Sequence, residues 1–545
     1  MRAADFMVES LKAHGIRRVY CVPGESYLAL LDALCDSGIE VIICRHESGA
    51  GFMAVAEAKM TGRPAVAMVS RGPGATNASI AVHQAEQDGV PLILLVGQVA
   101  REERYRHVFQ EMDYSAFFGS VAKGVFELSD ATRLPEMMPR AFRLAAEGMR
   151  GPVVLSLPED MLHDEVPHPQ VLTYPLPEAG AAPDQVEEVL AMLRQAERPL
   201  IMAGSMLRGK AGSEALAHCA DALRVPVVTT WKSQDVFDNT SPLYAGHTGF
   251  GTTKAQREAL SQADLIIAVG TRMGDPATLA FTLPEAPQPK QKLIHIYPDS
   301  RPIGRVIRPD LGIVADPAKF LAALGSNPVV GSAPREKWIS FVHGATASAQ
   351  EFKSPNPKDG VDFGAVTVAL SKLAPANAVI TMDAGNMTTW PHRHWKMTPD
   401  NLLLGAVAGA MGFGVPSAVA ASLNDPARMV ICFVGDGGIL MTGNELATAM
   451  AFGATPKIVL SNNGIYGTIR THQEREYPGR VVGTKLVNPD FTAWAETFGV
   501  KAFPLNMGDD IEAVIKAFLG HKGAALLHVQ SSAFALSANG TLPVQ

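Results

Sequence analysis

The chain has 545 residues, so a prior of about 150 residues per domain gives three or four domains, with cores large enough to need no disulfide or metal. Its 47 basic and 54 acidic residues leave a formal charge of −7 without any basic block, which argues against a nucleic-acid partner. Five scattered cysteines (Cys21, Cys35, Cys44, Cys219, Cys432) contain no CxxC pair, so neither a disulfide framework nor a zinc site is indicated. The opening MRAADFMVES is charged at once and has no apolar signal core, and a reducing, cytoplasmic setting is expected.

Short apolar runs alternate with amphipathic stretches along the chain. Val19–Val22, Val41–Cys44, Ala65–Val69 and Leu92–Val96 read as strands, with helix-like stretches at Tyr27–Ser37 and Ser48–Met60 between them. The pattern recurs at Leu200–Ala203, Val225–Thr229, Leu265–Val269 and Leu293–Ile296. It recurs again at Ala378–Thr381, Met429–Val434, Lys457–Leu460 and Ala525–Val529. Continuous apolar strands between helices imply parallel sheets covered on both faces, an α/β class of doubly wound domains. Proline-rich residues 164–185 and residues 326–360 read as surface linkers. They cut the chain into domains at 1–165, 186–325 and 360–535. Leu402–Leu423 carries no charge over 22 residues, long enough to cross a bilayer, but its four glycines and a proline fit a turn feeding a buried helix, and no membrane span is expected.

The strongest chemical signal lies in the last third. GDGG (Gly435, Asp436, Gly437, Gly438) follows the strand Val430–Val434, and a helix-like stretch, Thr442–Ala451, comes next. Strand Lys457–Leu460 then ends in Asn462 and Asn463. The 24 residues 438–461 between the motifs accommodate one helix and one strand. Asp436 and Asn463 therefore converge at the carboxyl edge of a parallel sheet, where such folds bind ligands. A carboxylate, an amide oxygen and a backbone carbonyl are hard donors that suit Mg²⁺ completed by phosphate and water. The glycines and the helix start favour a diphosphate. Taken alone, GDG and NN are ordinary turns; the spacing after two apolar strands makes the pair specific.

This pairing resembles the motif of thiamine diphosphate enzymes, and the resemblance implies that Asp436, Asn463 and the carbonyl of Ile465 hold Mg²⁺ on the cofactor diphosphate. The order of further motifs is similar to acetohydroxyacid (acetolactate) synthase catalytic subunits from about residue 3 to 530. CRHESGAGFMAVAEA places Glu47 where a helix begins. By itself that is an acid gaining from a helix dipole; by resemblance it bonds the aminopyrimidine ring and activates the cofactor. GAMGFGVP resembles the loop whose methionine, here Met411 beside Gly409, wedges under the cofactor, although a gap-filling core Met is the plain reading. DAGNMTTW implies backbone contacts from Gly385, Asn386 and Met387, and NNGIYG adds Tyr466 and Gly467. SRGPGATNA and FQEMD imply that Pro73, Asn77 and Gln110 approach the pyrimidine side, with Lys123 near the substrate mouth. The implied domains are pyrimidine-binding, central and diphosphate-binding. The implied assembly is a homodimer or homotetramer with sites shared between subunits.

Three features depart from the synthases. PGES puts Glu25 where they read PGG; the carboxylate either narrows the pocket, serves as an acid–base group, or points to solvent. His472 stands where they carry a tryptophan, with Arg470 two residues before. That pair suits an anionic or polar substrate, or else a solvated basic turn with Arg475. In the central domain Gly204, Gly249, Gly270 and Arg272 match positions near the flavin of the synthases, yet HIYPDSRPIG lacks the acidic HIDID pattern, so FAD and a nucleotide-free domain both stay open. The expected function is decarboxylation or carboligation of a small 2-oxo acid, with Glu47, Gln110, Glu25 and His472 as candidate catalytic residues. A simple decarboxylase, a flavin-linked oxidase and a cofactor-binding regulatory protein without catalysis are the alternatives.

Overall fold

The computed structural model describes residues 1–328 and 333–542. Three six-stranded sheets, all parallel, follow one another along the chain. The first holds β1 (Arg18–Cys21), β2 (Glu40–Ile43), β3 (Ala65–Val69), β4 (Leu92–Gln98), β5 (Gly124–Glu127) and β6 (Val153–Pro158), in the order β2-β1-β3-β4-β6-β5. The central sheet holds β7 (Pro199–Ala203), β8 (Val227–Thr229), β9 (Tyr244–His247), β10 (Leu265–Val269), β11 (Lys292–Tyr297) and β12 (Leu311–Val314), in the order β12-β11-β10-β7-β8-β9. This is the arrangement of dinucleotide-binding sheets, with a switch point between β7 and β10. The third holds β13 (Val379–Met382), β14 (Leu402–Gly405), β15 (Val430–Gly435), β16 (Lys457–Asn462), β17 (Lys501–Leu505) and β18 (Ala525–Gln530), and repeats the order of the first. The strands read from apolar runs all exist, with ends shifted by one or two residues.

The first and third sheets share a core. Helices Glu47–Thr61 and Gly414–Asn424 pack together between them, and Phe52 meets Phe413 edge-on at 5.7 Å. The central sheet keeps cores of its own. The uncharged stretch 402–423 becomes β14, a glycine turn and the buried Gly414–Asn424 helix. Among the described residues no helix is long and apolar enough to cross a membrane.

Two readings are corrected. Residues 326–360 are not a plain linker: Ala333–Gln350 is an 18-residue helix that buries Trp338, Ile339 and Val342. Trp338 Nε1 donates to the carbonyl of Pro199 at 2.8 Å, and the Arg335 guanidinium donates to the carbonyls of Leu193, Ala196 and Leu223, so this helix belongs to the central unit. Residues 329–332 of the expected linker lie outside the described residues. After GDGG the helix starts at once, as Asp436–Thr442, turns through Gly443–Glu445 and resumes as Leu446–Ala451; the sequence reading began it at Thr442.

Candidate active site

Asp436 directly follows β15 and opens a helix. Its side chain is buried, and Oδ2 accepts the Gly464 N–H at 2.8 Å and Asn488 Nδ2 at 2.8 Å, while Oδ1 accepts the Gly437 N–H at 3.0 Å. Burial pushes its carboxyl above the usual carboxylate range. Among the described residues no cation pairs with it, so the geometry holds a buried carboxylate that lacks a counter-charge. Asn463 lies in the turn after β16, where its Oδ1 accepts the Ile465 N–H at 3.2 Å, and Ile465 bridges to Lys485. Among the described residues no three His, Cys, Asp or Glu side chains cluster as a metal site. A cation here would therefore rest on one carboxylate and neutral oxygens, the donor set that Mg²⁺ accepts when phosphate and water complete it. The residues fit that ion.

The surrounding loops gather the other expected residues of this half. Gly385 adopts φ +136°, and the N–H of Asn386 donates to Thr468 Oγ1 at 3.2 Å, which ties the 385–387 turn to the Gly467–Glu476 helix. Met387 Sδ lies 3.6 Å from where a Cβ at Gly435 would stand. Met411 and Tyr466 both press on Gly437, where a Cβ would overlap the Tyr466 ring. Gly409 carries φ +70°, and Gly438 sits against Asp383. The sequence reading missed Asp383 and Asn488. Asp383 is fully buried and accepts the N–H groups of Ala384, Gly412 and Gly414 at 2.7–3.0 Å, which fixes the glycine turn that presents Met411.

At the first sheet, Glu47 opens the Glu47–Thr61 helix and is half-buried. Its Oε2 accepts Asn77 Nδ2 at 2.9 Å, and its Oε1 lies 3.5 Å from the position of a Cβ at Gly74. Pro73 begins the Pro73–Asp88 helix that carries Asn77. Just before it Gly72, at φ +48°, faces Gln110 so closely that a Cβ would lie 2.8 Å from the Gln110 carbonyl oxygen. Glu47, Pro73, Asn77 and Gln110 thus lie along one stretch of this sheet edge. Glu25 lies at the rim of this group: its side chain is 66% exposed and pairs with Arg71 at 2.9 Å, and Arg71 also pairs with Glu159 at 2.7 Å.

Other expectations separate. The residues read as a basic turn form a helix, and the His472–Arg470 pair is split: Arg470 pairs with Glu474 at 2.7 Å, while exposed His472 meets Arg475 at 2.8 Å. Lys123 stands apart from the Glu47 group; its Nζ donates to the Glu147 carbonyl at 2.6 Å, and burial pushes the amine down to about 8. Among the described residues no hydrogen bond, ion pair or ring contact joins the Glu47 group to the Asp436 group.

A cavity of about 600 Å³ opens at the carboxyl edge of the central sheet. Gly270 and Arg272 line it; Gly204 packs on Gly270 and Thr271, and Gly249 packs on Trp231. Arg272 is engaged with the Glu86 carboxylate at 2.9 Å. On the cavity wall Lys59 pairs with Asp88 at 2.8 Å, and Lys232, pushed down to about 7 by burial, donates to the Ala406 carbonyl at 2.6 Å.

Comparison with known proteins agrees with this layout. The N-terminal TPP-binding domain of the thiamine pyrophosphate enzymes matches residues 1–117, their central domain residues 186–324 and their C-terminal TPP-binding domain residues 383–529. The chain is 33% identical to the acetolactate synthase isozyme 1 large subunit of Escherichia coli, covering 97% of this chain and 94% of that one. It is 30% identical to the isozyme 2 large subunit of the same organism, covering 97% and 95%. With three matching domains in order and full-length relatives, the chain belongs to the thiamine pyrophosphate enzyme family.

Proposed function

We propose that this enzyme decarboxylates a small 2-oxo acid and ligates the product to a second carbonyl, with thiamine diphosphate and Mg²⁺. The observation that carries this reading is the pair of half-sites at sheet edges of the same topology: an oxygen donor set at Asp436, Asn463 and Ile465, and a carboxyl at Glu47 held by Asn77. Similarity to acetolactate synthase large subunits supports the substrate class. Thiamine diphosphate, when bound, supplies an electron sink for the carbon that loses its carboxylate. Asp436, Asn463 and the Ile465 carbonyl hold the cation and diphosphate. Gly435, Gly437 and Gly438 let the backbone approach, and the 385–387 turn offers N–H groups. Met411 and Tyr466 shape the space above Gly437. Glu47 moves a proton through Oε1 while Asn77 holds Oε2. Gln110 borders the substrate space, with Glu25 and His472 as the departures that set its polarity.

The separation of the two half-sites within one chain supports sites shared between subunits of a homodimer or homotetramer, because a second copy can bring its Glu47 group to Asp436. The domain boundaries follow as 1–165, 186–325 and 360–535, with the Ala333–Gln350 helix attached to the central one. A second ligand, FAD, is a further reading for the central cavity, favoured by its volume and its place at a dinucleotide-type sheet edge. Visible flavin absorbance of the purified protein tests it.

The main test mixes protein, thiamine diphosphate, Mg²⁺ and pyruvate and follows carbon dioxide and acetolactate together. Steady acetolactate formation supports a carboligase. Carbon dioxide with acetaldehyde alone makes the enzyme a decarboxylase. Cofactor binding without either product moves the reading to another 2-oxo acid.

A further inference from the structure

Glu445 ends the Gly443–Glu445 turn, directly after the helix that begins with Asp436. It is completely buried. Its carboxylate leaves the third sheet's unit and reaches the first: Oε1 accepts the backbone N–H of Arg45 at 3.0 Å and of His46 at 3.0 Å, and Oε2 accepts Arg45 N–H at 3.2 Å. The Thr448 hydroxyl donates to Oε2 at 2.6 Å. A Cβ at Gly49 would overlap this carboxylate, so the glycine leaves a cradle that the carboxylate fills. Among the described residues no basic side chain forms an ion pair with it, and burial pushes the carboxyl upward.

The junction between the two units is apolar at Phe52 against Phe413 and polar elsewhere: the buried Lys59–Asp88 pair reaches the Gly405 carbonyl and the Val407 N–H, and Asn424 donates to Tyr20 and Glu57. Unlike Asp88, which has Lys59 as its partner, Glu445 has no basic partner among the described residues, and a buried carboxylate without one is costly. The N–H groups it binds belong to the two residues before Glu47, in the segment that leaves β2 and enters the Glu47–Thr61 helix. Neither group has a helical partner there. The carboxylate therefore fixes the peptide planes that set where the Glu47 side chain starts, and Asn77 then fixes where it ends.

We propose that Glu445 is a positioning residue for Glu47: a buried carboxylate on the diphosphate-side helix turn that sets the backbone and the local field of the proton-handling glutamate. The inference rests on the reading of Glu47 given above. Misplacement of a reacting group by about an ångström costs up to about 100-fold in rate, so the effect belongs in kcat.

The test uses the full-length enzyme with thiamine diphosphate, Mg²⁺ and its 2-oxo acid. Glu445→Gln and Thr448→Val are compared with the parent in kcat, KM, cofactor affinity by calorimetry, thermal midpoint and the pH profile of kcat. Glu445→Gln keeps an oxygen for the N–H groups and removes the charge. It should lower kcat by about 10- to 100-fold and leave cofactor affinity and KM within about threefold. The acid limb of kcat should also shift, because the charge that holds the backbone before Glu47 is gone. Thr448→Val removes the hydroxyl that holds Oε2, so Glu445 protonates more readily and the limb should move the same way by less. If Glu445→Gln does not fold, the Thr448→Val limb decides. Unchanged kcat and pH limb in both variants would overturn the positioning role. So would parallel losses of kcat, affinity and thermal midpoint, which a purely structural residue gives. A parent enzyme that binds the cofactor with no turnover of any 2-oxo acid overturns the reading of Glu47 and this inference with it.

Discussion

The first and third sheets repeat one strand order and treat their carboxyl edges in opposite ways. The third buries Asp436 among N–H donors with no cationic partner among the described residues, an arrangement that a bound cation would complete. The first leaves Glu47 half-buried against a neutral amide. On the proposed reading, one topology yields an anchoring edge and a reactive edge, and the difference lies in how many fixed donors surround the carboxylate.

The largest expected effect is at the reactive edge. Glu47→Gln should lower kcat by about 10² to 10⁴-fold, the usual weight of a general acid–base group, with calorimetric cofactor binding retained. At the anchoring edge Asp436→Asn should do the reverse, weakening Mg²⁺-dependent cofactor binding by about 100-fold before chemistry is considered. Cofactor binding lost in the first variant and kept in the second would break the comparison.

Asn488→Ala, which removes a 2.8 Å donor from Asp436, should weaken the same binding by about tenfold. The pH dependence has a defined sign. The folded carboxyl of Asp436 is raised, so the folded protein holds a proton that the unfolded chain has released, and the metal-free fold loses stability as pH climbs through that interval. Mg²⁺ must displace the proton, so the gain in thermal midpoint on adding Mg²⁺ should shrink as pH falls, beginning above the ordinary Asp range. The smallest effect is expected at exposed His472: His472→Ala should change stability by less than about 0.5 kcal/mol. A change in KM for the acceptor would place it at the substrate, and an unchanged KM would remove it from the site.

What the sequence disclosed were features local in the chain. Apolar runs marked strands because parallel strands are buried on both faces, and GDGG with NN stood out because each follows such a run at one helix-plus-strand spacing. Asp383, Asn488 and Glu445 carry no local mark. Apart from their chain neighbours Ala384 and Thr448, their partners lie 26 to 400 residues away, and a buried Asp or Glu looks in sequence like a solvated one. The Ala333–Gln350 helix was hidden by flanking prolines and by an apolar face reduced to a few residues. The helix start at Asp436 was hidden because glycines there read as loop, although a carboxylate at a helix N-terminus supports it.

The seam where the Glu47–Thr61 helix meets the Pro73–Asp88 and Gly414–Asn424 helices is rich in glycine, alanine and serine, interleaved with a few larger side chains such as Phe52, Val82 and Val419, and a Cβ at Gly51 would overlap Ala81. Close approach here is what brings the first and third sheets into one core. An alanine scan would pass over its many alanine positions in silence. The informative scan runs the other way, toward larger side chains: Gly51→Ala alone should cost about 1–3 kcal/mol. Sequence drift at the seam is thus limited by volume more than by chemistry, and libraries that vary this enzyme should hold its small residues fixed while the rim around Glu25 and His472 is changed.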